Sequence, residues 1–108
     1  MQSRNLFANT QAPTMGERFE QLLSVDGLVI ERIVSSPRIE QQRYVQTQDE
    51  WVVLLRGTAL LEVDGAPLSL GNGDYVFLPA GTPHVVREVS DGALWLAVHH
   101  HHAEAPSA

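Results

Sequence analysis

An all-β fold, a sandwich or barrel of short antiparallel strands, is what this sequence predicts. Three observations carry that expectation. Short apolar segments of strand length recur along the 108 residues, Gly, Pro and Asp turn signals separate them, and no long stretch repeats with helical period. A chain of this size forms one domain and buries roughly two thirds of its unfolded surface, enough for a core without crosslinks.

Taken in order, residues 1–16 are polar and irregular, with Leu6 and Phe7 as anchors, and read as an N-terminal arm. The barrel is expected over residues 17–99. Residues 18–24 carry Phe19, Leu22 and Leu23, and one or two helical turns are admitted over residues 16–23. Asp26-Gly27 turns the chain into residues 28–34, a β-branched strand that Ser35, Ser36 and Pro37 stop. Residues 38–46 are mostly polar and end in Tyr44-Val45-Gln46. Residues 51–56 form a continuous apolar run closed by Gly57. Residues 58–63 follow, and Asp64-Gly65 between two apolar runs is a strong hairpin signal. Residues 66–70, 75–78, 84–89 and 94–99 complete the series, with Gly71, Gly73, Gly81 and Gly92 between them. Residues 100–108 are expected to be a disordered, histidine-containing tail.

Composition removes several classes of function. The chain has no cysteine, so disulfides, thiolate metal sites and cysteine nucleophiles are excluded. All 7 basic residues are arginine, which removes Schiff-base chemistry and the phosphate-loop lysine. A net charge of −6 argues against nucleic acid, whose binding runs on phosphate neutralisation. No apolar run approaches the ~20 residues of a membrane span, and the first residues lack a signal-peptide apolar core. The expectation is a soluble, cytoplasmic protein with neither nucleic-acid nor membrane partners. No Gly-x-Ser-x-Gly nucleophile motif is present.

Residues 73–84 carry the most chemical information. His84 is the one histidine outside the run His99-His100-His101-His102. Pro79, Gly81 and Pro83 build a rigid corner that delivers its imidazole to the start of an apolar stretch, as a fixed ligand or base requires. Strand alternation sets Val86 and Glu88 on the face of His84. Tyr44, Gln46 and Gln42 share another face by the same period. Each candidate has a plain alternative. His84 also fits a turn histidine bonding backbone, Glu50 a loop acid after Gln48-Asp49, and Glu88 a solvated residue at a barrel mouth. His99 lies on the face of Trp95 and Ala97, a position from which a structured histidine could reach the cavity. His100 to His102 read as tail, or as a remnant of an expression tag.

The order Gly73, Pro79, Gly81, His84 resembles the second motif of the cupins, double-stranded β-helix barrels of the jelly-roll class. Glu50 followed by Gly57 resembles the end of their first motif. The likeness runs over residues 29–99 and is that of a small, single-domain, bacterial-type, RmlC-like member. The chain departs from the pattern where Arg38 stands at the leading glycine, Tyr44 and Gln46 at the two histidines, and Glu88 at the closing asparagine. The resemblance implies a barrel with a short N-terminal arm, a homodimer, and a small polar ligand bound inside. It implies one divalent metal ion (Zn, Fe, Mn or Ni) on Glu50 and His84, weakly held because Tyr44 and Gln46 are poorer donors, and no organic cofactor. Tyr44, Gln46 and Glu88 would contact the ligand. If the chain is an enzyme, a metal-dependent oxygenase or isomerase is implied. Two other functions stay open: a metal-free binding or sensing module, and an interaction protein with a closed barrel. Loss of both first-motif histidines moves weight toward the metal-free pocket.

Overall fold

A computed structural model describes residues 1–102, which form eight strands and no helix. The strands are β1 (Glu17–Val25), β2 (Leu28–Ser35), β3 (Asp49–Arg56), β4 (Ala59–Val63), β5 (Ala66–Leu70), β6 (Tyr75–Leu78), β7 (His84–Val89) and β8 (Ala93–His100). They pair antiparallel in a five-stranded sheet, β1-β2-β8-β3-β6, and a three-stranded sheet, β5-β4-β7. The two inner faces pack together, Ile33, Val52 and Leu54 from one sheet meeting Ala59, Leu61 and Val89 from the other. This is the all-β double-stranded barrel expected.

Period-two burial explains how a short chain makes both a core and a polar pocket. On β3 the inward residues are Glu50, Val52 and Leu54; on β8 they are Trp95, Ala97 and His99. The register pairs Leu54 with Trp95, Val52 with Ala97, and Glu50 with His99. The interior therefore grades from large apolar side chains at one end to ionisable ones at the other. Asp64 and Gly65 both take positive φ (51 and 82), the mirror-image turn that matches the twist of paired strands.

The structure corrects two expectations. Residues 16–23 contain no helical turn; β1 runs through them, paired along its length with β2. A bulge between Gln21 and Leu23 puts the extra residue Leu22 into the strand, which breaks the alternation by which a strand is recognised. The expected tail also loses residues 100–102, which are held against the barrel. His100 ends β8, His101 donates its backbone N–H to the Gly27 carbonyl at 2.8 Å, and His102 meets Asp49. Residues 103–108 of that expected tail lie outside the described residues.

The N-terminal arm is tied down by one buried cation. Arg32, 5% exposed, donates to the carbonyls of Leu6, Ala8 and Asn9 and pairs with the Glu20 carboxylate at 2.6 Å. Arg18 adds bonds to the carbonyls of Asn9 and Gln11. Arg32→Met should cost about 2 kcal/mol, since hydrogen bonds to a charged group are the strong ones. Limited proteolysis should then cut the arm before the barrel; an arm as resistant as in the parent would show that Arg32 does not hold it.

Candidate functional site

The barrel opens at its ionisable end into a cavity of about 130 Å³, room for roughly four waters at ~30 Å³ each. Glu17, Glu31, Glu50, His84, His99, Tyr44 and Gln46 supply its polar atoms. Phe19, Ile33, Val52, Leu61 and Trp95 make the apolar wall. No arginine lines it among the described residues.

The corner at residues 79–83 positions His84 as its prolines and glycine suggest. Gly81 takes φ +83 and donates its N–H to the Gln46 carbonyl at 2.8 Å, which docks the irregular segment before β3 against the corner. Tyr44 and His84 exchange backbone hydrogen bonds at 2.8 and 2.9 Å, and their rings stack at 5.6 Å. The His84 Nδ1 lies 3.0 Å from the Thr82 carbonyl, an acceptor only, so Nδ1 carries the hydrogen. In the neutral ring Nε2 then has a free lone pair, 3.9 Å from Glu50 Oε1.

A second histidine–carboxylate pair stands beside the first. His99 donates from Nε2 to Glu31 Oε1 at 2.9 Å and receives the Gln48 amide at Nδ1 at 3.3 Å. Glu17 accepts from the Ser35 hydroxyl at 2.8 Å, which in turn accepts the Trp95 indole N–H at 3.1 Å. Burial raises the Glu50 carboxyl above its ordinary range, against the pull of His99, His84 and a Gln46 hydrogen bond. Burial likewise raises Glu17. The Glu31 hydrogen bond raises His99. Burial, with Glu17, Glu40 and Glu50, raises the Tyr44 phenol, which stays neutral and able to donate.

These shifts give stability a definite pH dependence. Glu17, Glu50 and His99 all hold protons more tightly folded than unfolded. Their contribution is fully present below the ordinary values, 4.5 for the carboxyls and 6.5 for the imidazole, and is lost as pH rises through the folded ones. The melting temperature should therefore be higher at about pH 5.5 than at about pH 8. Asp49 shifts the opposite way, held low first by the Ala80 N–H, and stays ionised across that window. A flat or rising profile in thermal melts would contradict this account.

Of the residues the sequence singles out, Tyr44, Gln46, Glu50 and His84 come together around the cavity. Glu88 does not. β4 residues Leu60 and Leu61 pair with Glu88 and Val86, so Arg87 is an extra residue in β7. That bulge reverses the alternation, keeps Val86 and Val89 inside, and leaves Glu88 exposed beside Leu60. Gln42 is exposed as well, because Tyr44 makes only an isolated bridge and no strand carries the period back to it. Glu31 and Glu17 are pocket residues that sequence reasoning missed. Glu31 had a signal: it is the one acid among Val29, Ile30 and Ile33, on the inward face of a β-branched run. Trp95 is buried against the cavity, whereas Trp51 and Tyr75 pack on each other outside it at 5.4 Å.

Glu50 and His84 present their free atoms close enough to share an ion, but the set stops at two. Both nitrogens of His99 are engaged, the Gln46 amide serves Glu50, and the Tyr44 phenol resists ionisation. Among the described residues, three His, Asp or Glu ligand atoms within 4.8 Å of one another occur at Asp49, His100 and His102, outside the cavity. The cavity residues therefore do not fit a resident divalent ion, which needs at least three good protein donors.

The two-sheet barrel with an ionisable cavity at one end defines the class: a β-barrel of two antiparallel sheets with a polar pocket at its mouth. The chain belongs to the cupin family, whose cupin-domain model matches residues 36–100. It is similar to a candidate mannose-6-phosphate isomerase from Ralstonia eutropha JMP134, at 38% identity over 94% of this chain and 100% of that one, with a TM-score of 0.81. An RmlC-like cupin from Desulfovibrio desulfuricans shares the fold at 21% identity, 93% and 96% coverage and a TM-score of 0.78. KdgF from Halomonas sp. shares it at 14% identity, 82% coverage of each chain and a TM-score of 0.74. No curated protein matches the sequence. Among the described residues no helix is long and apolar enough to cross a membrane.

Proposed function

We propose that this cupin binds a small, neutral, hydroxyl-rich molecule in its barrel and does so without a resident metal. The observation that carries the reading is the lining. Glu17, Glu31 and Glu50 face the cavity with two histidines, Tyr44 and Gln46, and no arginine accompanies them. Carboxylates and imidazoles accept and donate to hydroxyl groups, while three acids with no guanidinium repel a phosphate. The apolar wall with Trp95 suits the C–H face of a sugar or cyclic polyol. The similarity to a candidate sugar-phosphate isomerase thus extends here to the sugar and not to its phosphate.

The test is a panel of neutral aldoses, ketoses and polyols, with their phosphate esters, titrated by calorimetry with and without a chelator. A neutral member should bind equally well in both conditions and its ester more weakly. Binding that disappears with chelator, or that favours the ester, sinks the proposal. The fixed tautomer of His84, with its free Nε2 beside Glu50, favours a second reading in which the pair moves a proton on the bound molecule. Deuterium uptake from heavy water at a sugar carbon would support it, and its absence in a saturated complex would refute it.

A further inference from the structure

We propose that Asp49, His100 and His102 form a transition-metal site on the outside of the barrel, separate from the cavity. One carboxylate oxygen and two imidazole nitrogens lie within 4.8 Å of one another. His102 Nε2 is 2.6 Å from Asp49 Oδ2, and His100 Nδ1 is 3.9 Å from the same oxygen. The two imidazole centroids are 4.6 Å apart. Tetrahedral donors about 2.0–2.2 Å from a shared ion stand roughly 3.3–3.6 Å apart, so the ion replaces the His102–Asp49 hydrogen bond and the two side chains part by about 1 Å to admit it.

The backbone builds the cluster. Alternation along β8 turns His99 inward and His100 outward, and Asp49 is the register partner of His100 on β3. The chain stays anchored past the strand end, where His101 bonds the Gly27 carbonyl. That approach is close: a Cβ on Gly27 would lie 2.6 Å from the His101 carbonyl oxygen, so a glycine is required there. His102 is thereby held on the outer side with His100. Asp49 is also oriented, since its Oδ1 accepts the Ala80 N–H at 2.8 Å and leaves Oδ2 for the ion.

Two imidazoles and one carboxylate suit Zn²⁺, Co²⁺, Ni²⁺ or Cu²⁺ and not Mg²⁺ or Ca²⁺. Three protein donors leave a position for water. Asp49 adjoins Glu50 and His100 adjoins His99, so the ion ties β3, β8 and the Ala80 corner together behind the polar wall of the cavity.

The decisive experiment titrates the full chain with Co²⁺, followed by its visible absorption, and with Zn²⁺ by calorimetry. A single saturable ion is expected, with affinity unchanged in His84→Ala. Asp49→Asn retains an oxygen for Ala80 and should weaken binding by about tenfold or more, as should His102→Ala. Equal affinity in Asp49→Asn would mean that the histidine run alone captures metal, and the site would fall. Loss of binding in His84→Ala would put the ion inside the barrel, and absence of saturable binding would remove it altogether; either result overturns the proposal.

Discussion

Glu50→Gln should yield a protein more stable than the parent at neutral pH and about ten- to a hundredfold weaker in binding its neutral ligand. The two effects have one origin. Glu50 is 8% exposed, and burial outweighs the attraction of His99 and His84 in setting its proton affinity. A buried carboxylate there is costly, and an amide of the same shape removes that cost. The ligand loses a charge-assisted hydrogen bond, worth about 1.5–3 kcal/mol. The stability gain should shrink as pH falls toward the ordinary carboxyl range, where the raised Glu50 carboxyl takes up its proton. Urea unfolding across a pH series, with calorimetry of the ligand, checks each half. Destabilisation by Glu50→Gln would show that Glu50 is a paired structural charge and not a group poised for ligand.

Leu54→Ala should be the most damaging single truncation, costing about 3 kcal/mol and roughly 10–20 °C in melting temperature. Leu54 is 0% exposed, lies in the core between the sheets, and is the register partner of Trp95. Its removal leaves a void in the apolar half of the barrel that close-packed neighbours on both sheets cannot fill. Trp95 also lines the cavity, so its fluorescence should report the loosening, and ligand affinity should fall by less than stability does. A cost below about 1 kcal/mol would mean the two sheets collapse onto the gap.

Much of the fold was legible because turns and alternation are local. Asp26-Gly27 and Asp64-Gly65 each take the paired positive φ that such dipeptides favour. Gly57 was legible as a closing glycine, and its reason is now visible: at φ +113 a Cβ would lie 2.7 Å from the Ser90 hydroxyl oxygen and 3.1 Å from Ala93. His84 was legible because its corner is written in adjacent residues. Glu88 misled because a bulge is invisible to period-two reasoning; nothing in Val85 to Val89 marks Arg87 as the extra residue. Leu22 hid β1 in the same way. Glu17 could not be found once β1 had been admitted as helical turns, since its inward position depends on pairing with Ser35.

Local sequence is enough for the all-β class, for the strands after residue 27 to within two residues at their ends, and for the presentation of one imidazole from a rigid corner. Backbone sterics at glycine and proline and the two-residue pleat act over a few positions and survive without knowledge of partners. Which ionisable groups share the cavity is a matter of tertiary structure. Glu31 meets His99, and Glu50 meets both histidines, across strands that are distant in the chain. Desolvation, register and bulges set those meetings, and each depends on neighbours the local sequence does not name. The same holds outside the barrel, where a histidine run that looks like a tail is drawn by Gly27 and Asp49 onto the surface of the sheet.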